Sequence, residues 1–232
     1  MSYKKILKKS REEDYTYLVA KEQPLSYVTE NLQKTILNLE FANVDGNYKV
    51  IQFTSTVQGE GKTTLASNLA YLLAERGKKV IVLDLDLRRP KFHHVTGVPN
   101  DNGLNDYLLG EKDLNEIIRG TNGLNFDYIV TGKETTAINN ALTSNKLKDL
   151  IAKLREDYDY VLLDTPPTHV VSDSYYIAKM VDGIIYVIAQ NIAKKQDLKL
   201  AFNELKKTNT PIIGAIMSQV KLKTTEKYYY YG

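Results

Sequence analysis

The stretch KVIQFTSTVQGEGKTTLASNLAYLLAERG, residues 49–77, constrains this chain more than any other. It opens with a short apolar run, 49–55, which reads as a buried strand. It closes with an amphipathic helical pattern that Gly77 terminates. Between them lies only STVQGEGKTT. A glycine-rich link that turns a strand straight into a helix gathers backbone N–H groups beside a positive helix N-terminus. That is an anion site, and phosphate is its natural guest.

The rest of the chain repeats the strand–helix rhythm. KVIVLDLD (79–86), DYIVTG (127–132), YVLLDT (160–165), GIIYVIA (183–189) and PIIGAIM (211–217) read as five further strands. Helical patterns fall between them, notably at 141–155, 173–181 and 194–207. Val28, Leu32, Ile36 and Leu39 mark another helix within 24–42. Short apolar strands separated by helices predict an α/β fold with a doubly wound, mostly parallel sheet. In such sheets ligands bind at the carboxyl ends of the strands.

Three segments are expected: a flexible basic arm at 1–23, one domain at 24–220 and a tyrosine-rich tail at 221–232. A chain of 232 residues suits one large α/β domain. The net charge of +3 is too small to argue for nucleic acid. No cysteine is present, which fits a reducing compartment. No apolar run is long enough to span a membrane, and MSYKKILKKSREED lacks the apolar core of a secretory signal. The tail is the oddity. Tyr228, Tyr229, Tyr230 and Tyr231 stand in a row before Gly232. An extended chain sends alternate side chains to opposite sides, so four adjacent phenols cannot share one core face.

The phosphate loop assigns roles by residue type. Gln58, Gly59, Glu60, Gly61, Lys62, Thr63 and Thr64 are the candidate nucleotide-binding residues. Lys62 is placed to reach the β and γ phosphates, and the Thr63 hydroxyl to bind Mg²⁺. The loop is a variant, because Thr56 occupies the place of the usual first glycine. A bare connecting turn is the competing reading, and the strand–loop–helix context argues against it. Two further strand ends carry carboxylates. VIVLDLDLRRP ends the second strand with Asp84 and Asp86, which point to one side if the strand continues. YVLLDTPP ends the fourth with Asp164. A buried-strand Asp is costly without a partner, and Mg²⁺ or its waters would provide one. Each alone could be a cap or turn residue; two beside a phosphate loop form a site. His93 and His94 lack a third ligand in sequence, and Asp173 reads as a helix cap.

Together QGEGKTT, VLDLDLRRP and VLLDTPP resemble the three nucleotide motifs of the bacterial tyrosine kinases, and the tyrosine-rich tail is a fourth shared feature. The resemblance covers roughly residues 24–232. It implies the P-loop NTPase fold of partition and septum-positioning ATPases, turned to protein phosphorylation. It implies ATP and Mg²⁺ as cofactors, Lys62 stabilising the transferring phosphoryl group, and Asp84 or Asp86 as base, with Asp86 preferred. It implies metal binding by Thr63, Asp84 and Asp164, and Tyr228–Tyr231 as phosphoacceptors. It further implies a role in capsule or exopolysaccharide synthesis. A membrane-bound activator would supply a cytoplasmic segment and recruit this cytoplasmic chain to the inner face of the membrane. Self-association, through a possible ring, would involve Glu30 and Asn38, while Arg88 and Arg89 would receive a partner segment or a phosphate.

The match departs from the family in places. The arginines that join subunits fall on Gln33 and Ile36, and the Asn that contacts adenine on Ser218. Two other functions remain open at this point. One is a partition-type ATPase switch, although the signature lysine of that group falls on Val57. The other is a nucleotide-binding adaptor with little catalysis.

Overall fold

Four consecutive apolar residues of one strand, 160–163, require cover on both faces of the sheet, and the fold supplies it. The computed structural model describes residues 18–44, 47–120, 123–133, 138–169 and 171–221. A short helix α1 (Val19–Glu22) and a longer α2 (Tyr27–Ala42) precede strand β1 (Val50–Ser55) and helix α3 (Lys62–Glu75). Strand β2 (Val80–Asp84) leads through α4 (Phe92–Thr96), α5 (Leu104–Leu109) and α6 (Leu114–Ile117) to β3 (Asp127–Ile129). Then come α7 (Ile138–Thr143), α8 (Asn145–Asp157), β4 (Tyr160–Asp164), α9 (Asp173–Ala178), β5 (Gly183–Ala189), α10 (Lys195–Lys206) and β6 (Ile212–Ser218).

The six strands order as β3-β2-β4-β1-β5-β6, and every neighbouring pair is parallel. Parallel pairing needs crossovers, and the helices that make them cover both faces. Along β4, Tyr160 and Leu162 join the core beneath α2 and α3, while Val161 and Leu163 join the core beneath α8. All six predicted strands and the predicted fold class are present.

Four expectations are corrected. Residues 18–23 are not part of an arm: Leu18 and Ala20 are buried, and the Ala20 N–H donates to Asn68 Oδ1 at 2.8 Å. Residues 1–17 lie outside the described residues, as do 222–232 with the tyrosine cluster. The helical pattern at 141–155 is split, because Ser144 ends α7 and its Oγ accepts the Leu147 N–H to start α8. Strand β2 stops at Asp84, so Asp86 stands on the turn beyond it. Finally, Val28 is exposed while Thr29, Leu32, Ile36 and Leu39 form the buried face of α2.

Ile36 occupies the second subunit-joining Arg place of the resemblance, yet it is fully buried. That position belongs to the core in this chain. Ile36→Arg would force a charge into an apolar site, at a cost of about 3 kcal/mol or more. The thermal midpoint is expected to fall by roughly 6–12 °C, measured by circular dichroism. An unchanged midpoint would show that α2 can turn this position outward.

Candidate active site

Parallel pairing places the chemistry. Register sets Asp84 opposite Asp164, and Phe53 opposite Asp164, so the ends of β2, β4 and β1 lie side by side. Register-paired residues in a sheet point to the same face. The two carboxylates therefore converge where β1 gives way to the glycine loop. Gly59 and Gly61 both have positive φ, +79° and +86°, which a side chain would strain. These turns carry the chain from β1 into the N-terminus of α3, where Lys62 is buried.

Each carboxylate has a different setting. Asp84 is almost fully buried, and its oxygens accept N–H bonds from Asp86 at 3.1 Å and Phe92 at 3.2 Å. Burial, then Asp164, then Asp86 push its pKa well above the ordinary carboxylate range. Asp164 accepts the Thr63 hydroxyl at 2.5 Å through Oδ2. Its Oδ1 is buried with no hydrogen-bond partner. Burial raises its pKa to about 6, against the opposing pull of Lys62 and the Thr63 bond. Asp86 is raised by burial, with Lys62 the chief opposing influence. Its Oδ1 also accepts the Arg89 N–H at 3.2 Å, so it is a turn residue as well as a neighbour of Lys62.

This setting fits a divalent cation. A buried, unpartnered carboxylate oxygen beside a hydroxyl and a second carboxylate is a hard-oxygen donor set that favours Mg²⁺ over softer metals. The structure thus brings Lys62, Thr63, Asp84, Asp86 and Asp164 together.

The remaining predicted residues are distributed around this centre. The Gln58 Oε1 accepts from Arg89 Nη1 at 2.7 Å, which ties the glycine loop to the turn after β2. Glu60 is fully buried, and its carboxylate accepts the N–H groups of Val57 at 2.8 Å and Ala189 at 3.1 Å. It braces the loop. Thr56, standing where a glycine was expected, is buried and shares a hydrogen bond with the Tyr186 hydroxyl at 3.0 Å. Arg88 is held by Asp173, Nε to Oδ2 at 2.8 Å and Nη2 to Oδ1 at 3.3 Å. The Asp173 carboxylate beside it pushes the Arg88 guanidinium further up. Asp173 opens α9 and is buried, an ion-pair role that the sequence did not reveal. Glu30 is exposed and pairs with Lys34 at 3.2 Å, one turn along α2. Asn38 is exposed on α2.

A groove of about 830 Å³ opens beside the loop, bounded by Gly61 and Thr64, by Asn38 of α2, and by Ser218 and Gln219 at the end of β6. Its size suits the nucleoside part of a nucleotide. Ser218 and Gln219 also touch the loop itself. The Ser218 Oγ donates to the Glu60 carbonyl and the Gln219 Nε2 to the Gly59 carbonyl, each at 2.6 Å. These contacts cross about 160 residues of sequence, and no local pattern announces them.

The raised pKa of Asp164 has a stability consequence. Between the ordinary carboxylate value and about 6, the folded chain holds a proton that the unfolded chain has lost. Stability of the metal-free chain therefore falls as pH rises through that window. Asp164→Asn removes the charge and keeps an acceptor for Thr63. It is expected to stabilise the metal-free chain near neutral pH by on the order of 1–3 kcal/mol, a rise of roughly 3–10 °C. The same change is expected to weaken Mg²⁺-dependent nucleotide binding. Thermal unfolding against pH checks the first effect, and a lower midpoint for the variant would refute it.

Comparison with known proteins agrees with this geometry. Residues 48–212 match the family model described as an AAA domain. The tyrosine-protein kinase YwqD of Bacillus subtilis (strain 168) is 33% identical over 93% of this chain and 91% of that protein. The crystal structure of the chimerical protein CapA2B2 superposes with a TM-score of 0.85 at 28% identity, covering 90% of this chain and 92% of that one. The cell division ATPase MinD of Pyrococcus furiosus superposes at 0.63 with 28% identity, over 73% of this chain and 71% of that one. The full-length match to a kinase and the shared ATPase architecture lead to one conclusion: the chain belongs to the bacterial tyrosine-protein kinases, enzymes built on the P-loop fold of the partition and septum-positioning ATPases.

Proposed function

We propose that this chain is an ATP-dependent autokinase that phosphorylates its own cluster Tyr228–Tyr231, between subunits. The observation that carries the reading is the convergence of Lys62, Thr63, Asp84, Asp86 and Asp164 at three adjacent strand ends around the glycine loop. Phosphoryl transfer needs positioning and electrostatics more than covalent help, and this cluster offers both. The tail is the natural acceptor because it follows directly from β6, whose end borders the same loop.

The residues divide the work by their settings. Asp84 gives its oxygens to backbone N–H groups and faces Asp164, which suits a structural and metal-side role. Asp86 lies beyond the strand, beside Lys62, and is the better base. It accepts the phenolic proton as the tyrosine oxygen bonds to the γ phosphorus and the bond to the departing ADP oxygen breaks. Lys62 stabilises charge on the transferring group. Thr63 and Asp164 would hold Mg²⁺, with Asp84 beside them. The cation, when bound, supplies positive charge that offsets the phosphate oxygens. Arg88 and Arg89 form a basic rim at the turn, anchored by Asp173 and Gln58, where a partner segment or phosphate is received.

The biological setting rests on the relatives. A curated relative in a cps region is named a putative tyrosine-protein kinase, which supports a role in capsule or exopolysaccharide synthesis. Among the described residues no helix is long and apolar enough to cross a membrane. We place the chain at the inner face of the cell membrane, with a membrane-bound activator supplying a cytoplasmic segment.

Two experiments test this reading. Lys62→Met, with the activating segment fused, is expected to lose tail phosphorylation by about 100-fold or more while its circular dichroism is unchanged. Phosphotyrosine blotting with Mg-ATP reads the result, and full phosphorylation of the variant would overturn the assignment. Mixing Lys62→Met chain with an active, tail-deleted chain tests transfer between subunits. Phosphate is expected on the inactive chain's tyrosines, and its absence would restrict transfer to one subunit. Hydrolysis of ATP without tail phosphorylation would instead favour a partition-type switch.

A further inference from the structure

A phosphate loop binds through its N–H groups, so its carbonyls must face elsewhere and find partners of their own. In this chain two of those carbonyls are met by side chains from the far end of the sequence. Ser218 Oγ donates to the Glu60 carbonyl and Gln219 Nε2 to the Gly59 carbonyl, each at 2.6 Å. A trans peptide sets its C=O and N–H on opposite sides. Fixing the Gly59 and Glu60 carbonyls toward β6 therefore turns the N–H groups of Glu60 and Gly61 the other way, into the concave side of the loop.

Gln219 carries a second, independent sign. Its φ is +53°, in the left-handed region that a residue with a side chain rarely adopts. Such a conformation is unfavourable and persists where surrounding contacts impose it. Here it directs the amide back onto the loop. Further hydrogen bonds tie its neighbours. Gln190 N–H donates to the Ser218 carbonyl at 3.0 Å, and Lys221 N–H to the Gln190 Oε1 at 2.8 Å. Ala189, paired with Ser218 in the sheet, donates its N–H to the Glu60 carboxylate. The ends of β5 and β6 thus grip the loop at Gly59 and Glu60 from behind.

We propose that Ser218 and Gln219 are positioning residues for the phosphates of the nucleotide, acting through the Gly59 and Glu60 peptides and not by touching the base. The proposal rests on the phosphate-loop reading given above. It differs from the role that the resemblance implies for position 218, a contact with adenine. A hydroxyl already donated at 2.6 Å to a loop carbonyl has no second proton for the base and could meet it only as an acceptor.

The two roles predict different losses. A residue that orients loop N–H groups affects ligands that carry phosphates and leaves the nucleoside alone. A residue that contacts the base affects both. Calorimetric titration of the full chain with Mg-ADP and with adenosine separates them. Ser218→Ala and Gln219→Ala are each expected to weaken Mg-ADP by about 2- to 10-fold, and the double variant by roughly 10- to 100-fold. Adenosine affinity is expected to stay within about twofold, since no phosphate contact is at stake. Ser218→Thr keeps the hydroxyl and should restore Mg-ADP affinity. Gln219→Gly removes the amide but adopts positive φ without strain. It should therefore weaken Mg-ADP with no loss of thermal midpoint, which separates loop orientation from general damage. Equal weakening of adenosine and Mg-ADP would overturn the proposal in favour of base contact. A double variant that binds Mg-ADP like the parent would also overturn it. If the parent chain itself binds Mg-ADP no more tightly than adenosine, the phosphate-loop reading fails first and takes this one with it.

Discussion

Asp84 and Asp164 are held in register on adjacent strands, with Lys62 close by in a site nearly closed to water. Two carboxylates in that position repel, and burial disfavours charge on either. The sheet imposes this arrangement; nothing local would choose it. The apolar runs that precede each Asp lock β2 and β4 into the core on both faces. Hydrophobic burial along the strands thus holds the acidic residues at their ends. Stability is given up at the place where binding is gained, a trade common at functional sites.

The same constraint explains the division between Asp84 and Asp86. Had β2 continued to residue 86, the two would point to one side. The strand instead ends at Asp84, and its side chain accepts the N–H of Asp86. The turn that follows, capped by Asp86 on Arg89, carries the second carboxylate off the strand, where Lys62 is its chief opposing charge. One short turn therefore gives two chemically identical side chains different neighbours, and different neighbours are what set different roles.

Most of this was legible in the sequence, for a physical reason. A parallel sheet writes its strands as apolar runs and its ligand-binding ends as the polar residues that follow. The six strands, the glycine loop and the carboxylates Asp84, Asp86 and Asp164 are all local patterns of that kind. What stayed hidden depends on register and on distance along the chain. Glu60 reads as a loop ligand by position, and only the approach of Ala189 shows it to be a brace. Asp173 reads as a helix cap, and only the packing of α9 near the turn after β2 shows it to be the partner of Arg88. Leu18 and Ala20 sit in a charged stretch, and their burial depends on Asn68 of α3 capturing the Ala20 N–H. Phe92–Thr96 and Leu114–Ile117 are helices too short to show a period.

Strand β6 has a special standing in this scheme. As an edge strand it is only partly covered, and a free edge is ordinarily a weakness. Its end, however, reaches the back of the glycine loop beside the end of β5. Ser218 and Gln219 fasten it there by side chains, and Gln190 fastens Lys221 after it. The residues beyond Lys221 include the four tyrosines. In sequence, the candidate acceptor thus follows the strand whose end meets the glycine loop. Any force on that element, from a neighbouring subunit or a bound partner, would act on the Gly59 and Glu60 peptides directly. Coupling of this kind needs no long pathway, because two hydrogen bonds span the distance between the strand end and the loop.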